Sequence, residues 1–404
     1  MKLKPKFVND SIGGIIGASL VFLLGLALWN PLWDIDIPIK WPEFPMAIRM
    51  TRASYDWSFE LSKFARPDLQ SSEVVIVYID EDSLRSLGQS LTTPMDRSLH
   101  AKLLNKLKAE GAKAVVMDMI FSDPGPDELS DKLFTEALRS NGKVILADDY
   151  AQLPTSSNRG VASFKYQTIT PYAPFEKASL TNGLDALAKE DDFLVRRHSH
   201  TPPSPGDPPS LSWVTAQTVG LKLTRNPREQ AVERWMYYYG PPETIPHVNY
   251  QQALSENGVQ PGFFRNRIVF IGGRPRVGAL AEKRDEMRSP YSTANRLFNF
   301  MPLVEIHATQ LLNLLRGDWV TRPTPVVEIG VLALAAFIFG FGFLRFRPPV
   351  ATGLAVASML VVILIAQSLF VQQRIWFPWL VIVAAQIPLA LLWSVIYRSL
   401  QWYV

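Results

Sequence analysis

Hydrophobic and polar positions divide this chain into two kinds of segment. Long apolar runs occupy residues 11–29 near the N-terminus and residues 326–344, 350–371 and 376–397 near the C-terminus. Each run is long enough to cross a bilayer, because an α-helix rises about 1.5 Å per residue and needs about 20 residues to span the hydrocarbon core. The pattern therefore predicts one N-terminal and three C-terminal transmembrane helices.

Between the first and second runs, residues 30–325 have the composition of a water-soluble domain. Short, nearly continuous hydrophobic stretches rich in β-branched residues predict strands buried on both faces. These stretches are residues 74–80, 114–118, 143–147 and 267–272. Helical periodicity lies between them, at residues 99–107 and 131–138. Strand, helix and strand in this order predict an α/β fold with a mostly parallel sheet flanked by helices.

Basic residues set the expected orientation of the membrane helices. They are Lys2, Lys4 and Lys6 before the first run, Arg345 and Arg347 between the second and third, and Arg398 after the fourth. Short basic segments stay in the cytoplasm. We therefore expect residues 1–10 and 398–404 inside the cell and residues 30–325 outside the cytoplasmic membrane. A cleaved secretory signal is the alternative for the first run, but the apolar run continues through Leu28 and Trp29, which favours an uncleaved anchor.

The composition excludes several classes of function. The 404 residues contain no cysteine, which excludes cysteine nucleophiles, zinc–thiolate sites and disulfides. The net charge is +4, from 41 basic and 37 acidic residues that are scattered along the chain, and this gives nucleic-acid binding no support. Within the apolar runs the main polar and helix-kinking positions are Gln386 and Pro388, so a transport function is disfavoured.

Residues 44–64 are predicted to form a helix that links the first membrane helix to the sheet. Its apolar side chains fall on two sides, with Met50, Trp57, Leu61 and Phe64 on one side and Ile48, Tyr55 and Phe59 roughly opposite. Two apolar sides predict a helix sandwiched within its own domain. The alternative is a helix that binds a partner.

Small residues spaced four apart recur in the apolar runs. The pairs are Gly13 with Gly17, Gly14 with Ala18, Ala336 with Gly340, Ala351 with Ala355, and Gly353 with Ala357. Such pairs let helices approach closely. We therefore expect a helical bundle that forms a homo-oligomer, with a dimer as the first expectation; packing within one chain is the alternative.

Short motifs follow one another in a fixed order along the polar domain. They are Tyr55-Asp56, Ile79-Asp80-Glu81, Pro94 with Arg97, residues 111–114 leading into 118–121, Asp191-Asp192 before 195–197, residues 239–242 with 244–246, residues 268–272 and residues 305–308. As an ordered set over residues 52–319, they resemble the second type of CHASE-class extracellular sensory domain, CHASE2. The family's arrangement of one membrane helix before the domain and three after it is similar to the arrangement predicted here.

The resemblance implies a bacterial sensory domain outside the cytoplasmic membrane, whose last membrane helix leads in that family into a cyclase or a kinase. Only residues 399–404 follow Arg398 here. The expectation is therefore either a shortened protein or one that signals to a separate effector, such as a cyclase or kinase. The chain itself is not expected to be an enzyme or to need a cofactor. A structural subunit of a membrane complex is the alternative from another class.

Acidic residues follow two of the predicted strands. Asp80 and Glu81 end the first, and Asp118 ends the second. Ligands bind open parallel sheets at this carboxyl edge, so these residues, with Asp123, Glu305 and His307, predict a ligand site that could be an oxygen-rich metal or hydrolase site. The spacing matches no recognised catalytic motif; a hydrolase using Asp80, Asp118 and His307 is the least favoured alternative. An acidic residue after a strand is also a common helix cap.

The loop after the last predicted strand carries Arg274 and Arg276 among glycines. Backbone amides and guanidinium groups there could hold an anion, and a tight turn with solvated arginines is the alternative.

His198 and His200 alternate in a stretch that we expect to be exposed. Their imidazoles could bind a metal ion weakly there. Residues 201–209, rich in proline, are expected to form an exposed loop.

Overall fold

The computed structural model describes residues 5–29, 45–155, 163–201, 208–274, 286–293 and 300–403. The chain forms two compact units. The membrane unit contains Met1–Ala65 and Val320–Val404, and the α/β unit contains Arg66–Trp319. Arg276 and most of the proline-rich stretch at 201–209 lie outside the described residues.

The helices and strands are numbered in chain order. The helices are α1 (Pro5–Leu28), α2 (Pro45–Leu61), α3 (Glu81–Ser86), α4 (Arg97–Ala109), α5 (Glu128–Asn141), α6 (Ala173–Ala178), α7 (Leu211–Thr218), α8 (Pro227–Gln230), α9 (Tyr250–Leu254), α10 (Leu303–Arg316), α11 (Pro325–Gly342), α12 (Pro348–Gln373), α13 (Trp379–Val381) and α14 (Ile387–Tyr403). The strands are β1 (Val74–Ile79), β2 (Ala114–Asp118), β3 (Val144–Thr155), β4 (Ser163–Ile169), β5 (Thr181–Leu184), β6 (Arg197–His198), β7 (Arg234–Trp235), β8 (His247–Asn249), β9 (Ile268–Gly273), β10 (Glu286–Arg288) and β11 (Phe300–Pro302).

A parallel sheet forms the centre of the α/β unit. Its strand order is β5-β3-β2-β9-β1-β8, and all of these neighbours are parallel. β3 continues beyond the parallel region and pairs antiparallel with β4. The prediction of a mostly parallel sheet flanked by helices is confirmed.

Alternate residues of the central strands enter two separate cores. On β1, Val75 and Val77 face a core that includes α4, α5 and α9, whereas Ile76 and Tyr78 face a core that includes α7 and α10. All four side chains are fully buried. Helices therefore cover both faces of the sheet, which explains why its strands are hydrophobic at nearly every position.

The two helices predicted between the strands are α4 and α5. Asp96 caps α4 by accepting a hydrogen bond from the Ser98 backbone amide at 2.9 Å. Asp127 caps α5 in the same way, and α5 ends at Gly142, which has a φ of 68°. Such caps satisfy the backbone groups that a helix leaves without partners at its ends.

The membrane unit has four helical segments long and apolar enough to cross a membrane. They are Ser11–Leu28, Pro325–Arg345, Pro348–Gln373 and Trp379–Gln401. The predicted arrangement of one N-terminal and three C-terminal apolar helices is confirmed. The last segment begins after Pro378 and includes one π-helical turn, Ile382–Gln386.

Small residues let helices of the membrane unit meet closely. A Cβ atom on Gly14 would lie 2.3 Å from the Phe341 ring, and one on Gly340 would lie 2.6 Å from the backbone of Ala18. By contrast, a Cβ on Gly353 would meet no atom within 4 Å. Packing within one chain therefore uses most of the predicted small-residue pairs, while Gly353 stays open on its side of α12.

Two buried polar side chains of the membrane unit make hydrogen bonds within that unit. The Gln386 side-chain amide donates to the carbonyl oxygens of Val21, at 3.3 Å, and Leu332, at 3.1 Å. The Glu328 carboxylate accepts hydrogen bonds from Arg322 at 2.9 Å and from the Trp29 indole at 2.6 Å. Burying an unpaired charge is costly, so the ion pair with Arg322 reduces the cost of placing Glu328 in an apolar helix.

Candidate functional site

The candidate site lies at the carboxyl edge of the parallel sheet. Asp118 ends β2, Asp185 directly follows β5, and His307 lies in the first turns of α10. Their potential ligand atoms all lie within 4.8 Å of one another. We call these three residues the carboxyl-edge trio. They are far apart in the sequence and come together because parallel strands end at the same edge.

A hydrogen bond joins two members of the trio. His307 Nε2 lies 2.8 Å from Asp185 Oδ1. The His307 side chain is fully buried, while that of Asp185 keeps 21% of its surface exposed. The trio is thus reached through Asp185 and the half-buried Asp118, with the imidazole behind them.

The charges of the trio are linked. Burial acts to raise the pKa of Asp185, but the hydrogen bond and the charge of His307 outweigh it, so the pKa of this carboxyl is lowered. The Asp118 side chain also interacts with Asp185. Asp185 therefore interacts with both an imidazole and a second carboxyl group.

Gly272 of β9 allows α10 to approach the trio. A Cβ atom at this position would lie 2.7 Å from Val304 Cβ and 3.2 Å from Asp118 Cβ. Real Cβ contacts are longer than the first of these, so only glycine lets the start of α10 rest on the end of β9. This packing brings His307 to the edge of the sheet.

Glu305 belongs to a second network on the same helix. Its carboxylate accepts hydrogen bonds from the Tyr78 hydroxyl, at 3.0 Å, and from the Glu243 backbone amide, at 2.9 Å. Burial raises the pKa of the Glu305 carboxyl to about 7, although the Tyr78 hydrogen bond and the backbone amides of Ile245 and Thr244 act in the opposite direction. Burial also raises the pKa of the Tyr78 phenol.

Arg274 has a partner within this second network. Its guanidinium forms an ion pair with Glu243 and lies 5.3 Å from the centre of the Tyr78 ring. The positive charge expected to serve an anion site is therefore matched by a carboxylate of the same domain. The companion residue Arg276 lies outside the described residues.

Asp80 and Glu81 are engaged at the start of α3. Asp80 is 1% exposed, and its side chain accepts a hydrogen bond from the Ser83 backbone amide at 2.8 Å. Glu81 pairs with Arg85 at 3.3 Å on the helix surface. Asp80 thus acts as a helix cap, the alternative that its position after a strand also predicts. β9 separates the ends of β1 and β2, so Asp80 is not grouped with Asp118.

The structure therefore divides the predicted site residues into separate groups. Asp118 and His307 come together, Glu305 and Arg274 share a network around Tyr78 and Glu243, and Asp80 caps α3. Asp185 is the member of the trio that the sequence did not identify. Like Asp118, Asp185 is an acidic residue at the end of a strand. That strand, β5, has the weakly hydrophobic sequence Thr-Asn-Gly-Leu, so the sequence does not reveal it as a strand.

The expectation of an exposed His198 is wrong. This side chain is 1% exposed, its ring stacks on Trp319 with centroids 5.8 Å apart, and its Nε2 lies 3.0 Å from the Ser212 hydroxyl. Burial lowers the pKa of His198 to about 3. His198 is therefore a neutral core residue, and burial between aromatic rings explains the difference from the sequence expectation.

A separate cavity of about 760 Å³ lies at the opposite edge of the sheet. Its walls come from segments that lead into β1, β8 and β9, including Leu69, Ile245 and Phe263. It is open and holds none of the trio. Ligand sites of parallel sheets lie at the carboxyl edge, so the trio remains the better candidate.

Two arginines of the ordered motifs have structural partners. Arg97 pairs with Asp131 at 2.6 Å and joins α4 to α5. Arg196, 1% exposed, pairs with Asp192 at 2.8 Å. The motif residues therefore include positions that hold the domain together as well as positions at the carboxyl edge.

Comparison with known proteins identifies the family. The family model described as CHASE2 domain matches residues 35–344, well over half of the chain. Comparisons with curated proteins and with solved structures gave no match. CHASE2 is a sensory domain, and four candidate membrane helices accompany it here, as expected for a multi-pass membrane sensor module. On the length of this match, the chain belongs to the CHASE2 domain family.

Proposed function

We propose that this chain is the sensing subunit of a bacterial signalling system in the cytoplasmic membrane. Its CHASE2 domain faces the extracytoplasmic side, and both termini face the cytoplasm. Family membership and the four apolar helices support this proposal. The basic residues beside those helices, such as Arg345 and Arg347, support the orientation.

In this proposal the carboxyl-edge trio binds a cationic ligand, of which a divalent metal ion is the simplest. The observation that carries the proposal is the convergence of Asp118, Asp185 and His307, whose ligand atoms lie within 4.8 Å. Carboxylate oxygen and imidazole nitrogen together suit zinc and similar divalent ions. A cation bound here would lie beside the two neighbouring carboxyl groups, of which Asp185 has a lowered pKa.

The chain acts by binding rather than by catalysis in this proposal. Membership of a sensory domain family favours binding. Signalling then requires that the ligand bind one arrangement of the protein more tightly than another, because only a difference in affinity shifts an equilibrium. The shifted state passes through the membrane helices to a cytoplasmic effector, such as a cyclase or kinase.

We also propose that the signalling form is a dimer. The open side of Gly353 on α12, with the exposed Ala357 one turn later, offers a pair of small residues for a helix of a second copy. Single cysteines at Gly353 would form an intermolecular disulfide on mild oxidation if this face is shared. Absence of that disulfide in membranes, with crosslinks at other faces of α12, would contradict it.

Thermal unfolding of the full chain in detergent tests the cation site. We expect Zn²⁺, Mg²⁺ or spermidine to raise the unfolding temperature of the unmodified chain, because a ligand that binds only the folded state stabilises it. Asp185→Asn should abolish the rise. Asp123→Asn, at an exposed aspartate outside the trio, is the matched control and should keep it. The proposed site is wrong if no cation raises the temperature or if Asp185→Asn responds like the unmodified chain.

A further inference from the structure

Helix α2 has an apolar side that is largely exposed among the described residues, although Met50 on that side is partly buried against the core of the membrane unit. Met46, Trp57 and Leu61 lie on one side of the helix, and Phe64 continues this side in the short turn that follows. Their exposed fractions are 56%, 49%, 46% and 91%. We call these four residues the α2 stripe. Large apolar side chains exposed side by side generally mark a contact surface.

The opposite side of α2 fixes the helix within the membrane unit. Tyr55 and Phe59 are buried, and the Phe59 ring meets the Phe370 ring edge to face at 4.8 Å. The indole groups of Trp376 and Trp379 donate to the hydroxyls of Ser54, at 3.2 Å, and Ser58, at 3.1 Å. α2 is therefore packed on the side that carries Tyr55 and Phe59, whereas the sequence predicts a helix packed on two sides.

These contacts set the depth of α2 relative to the membrane helices. Phe370 lies in the last turn of α12, and Trp379 is the first residue of the last membrane segment. Both therefore lie at the ends of apolar helices, where a bilayer meets water. Because Phe59 and Ser58 contact them directly, the neighbouring Trp57 and Leu61 lie at the same depth.

We propose that the α2 stripe inserts into the bilayer, at the boundary between headgroups and acyl chains. The apolar surface of α12 continues to this end of the bundle, where Leu364 is 68% and Val371 43% exposed. A helix with Trp, Leu and Phe on one side and charges on another is suited to this boundary. On α2 the charges are Arg49, Glu60 and, in the following turn, Lys63, whose ammonium lies 5.6 Å from the Phe64 ring.

The absence of cysteine allows a direct measurement on the full chain. Single cysteines at Leu61 and Phe64 are labelled with the fluorophore NBD, and the protein is placed in vesicles of phosphatidylethanolamine and phosphatidylglycerol. Glu60→Cys, on the charged side of the same helix, is the matched control. We expect doxyl-labelled lipid to quench NBD at positions 61 and 64 several-fold more strongly than at position 60. Aqueous iodide should quench position 60 most strongly.

Three results would overturn the proposal. Quenching of Leu61 and Phe64 labels by iodide but not by doxyl lipid would mean that the stripe faces water. Shielding from both quenchers, with disulfide crosslinks between chains at these positions, would mean that a second copy covers the stripe. Equal doxyl quenching at position 60 would mean that α2 has no water-facing side. Retained helical content and unfolding temperature of each labelled variant establish that folding is intact.

Discussion

Glu305 and His307 are two residues apart at the start of α10, yet their side chains enter different networks. Residues at this spacing lie on nearly opposite sides of a helix. Glu305 turns towards Tyr78 and Glu243, whereas His307 meets Asp185. Glu305 is buried, whereas His307 meets a partly exposed carboxylate, that of Asp185. Substitutions at these two positions should therefore have different consequences.

Replacing Glu305 by glutamine should change how stability depends on pH. Burial raises the pKa of this carboxyl from 4.5 to about 7, so the folded state holds a proton that the unfolded state releases between these values. The unmodified chain should therefore lose stability, on the order of 3 kcal/mol, as pH rises from about 4.5 to about 7. Glu305→Gln cannot ionise and should not show that loss.

Thermal unfolding of the full chain across this pH range measures the difference. The unfolding temperature of Glu305→Gln, relative to the unmodified chain, should rise steadily between about pH 4.5 and pH 7. Glu305→Asp serves as the control, because it keeps an ionisable group at the buried position. Parallel pH profiles for Glu305→Gln and the unmodified chain would show that Glu305 does not titrate in the folded protein as inferred.

Single residues also show where sequence reasoning succeeds and where it stops. Asp118 was identified because it ends a clear strand. Asp185 was missed because its strand, β5, becomes recognisable only through pairing with β3. Asp80 resembled a ligand by position but caps α3. Sequence places residues near an edge, but three-dimensional contacts decide which side chains meet.

At the scale of elements, the strength of the local pattern decided what could be predicted. β1, β2 and β9 are continuous hydrophobic strands, and α4 and α5 have regular apolar periodicity, so all five were predicted. β4 and β5 were not, because neither has a hydrophobic run of its own and each depends on pairing with β3. Short edge strands owe their conformation to a neighbour, which a single sequence does not reveal.

The packing of α1 against α11 gives a prediction at this scale. A Cβ on Gly340 would lie 2.6 Å from the backbone Cα and N of Ala18, and backbone atoms cannot turn aside as a side chain can. Gly340→Ala should therefore force the two helices apart and destabilise the membrane unit by about 1–3 kcal/mol, the usual cost of overpacking. Thermal unfolding in detergent measures this loss.

Gly330 offers a matched control on the same helix. A Cβ there would meet no atom within 4 Å, so Gly330→Ala should leave the unfolding temperature unchanged or raise it, since alanine favours helix over glycine by about 1 kcal/mol. Equal effects of the two substitutions would mean that α1 and α11 do not approach as closely as Gly340 and Ala18 indicate.

At the scale of the whole molecule, the two units have surfaces suited to different solvents. The α/β unit buries its apolar residues in two cores, whereas the membrane unit exposes residues such as Leu334, Phe337 and Leu360 on the outside of its helices. Such surfaces are stable only against lipid, where all backbone polar groups are satisfied within helices. Family membership and membrane helices were both predictable from sequence, because ordered motifs and long apolar runs are local features.

The orientation of these units in the membrane depends on charge, and it yields the last prediction. Arg345 and Arg347 border the turn between α11 and α12, and short basic turns remain in the cytoplasm. In intact bacterial cells, a membrane-impermeant maleimide should label Asn105→Cys, on the exposed surface of α4, without permeabilisation. Arg347→Cys should be labelled only after the membrane is opened. The reverse labelling pattern would place the CHASE2 domain in the cytoplasm and remove the basis for an extracytoplasmic sensor.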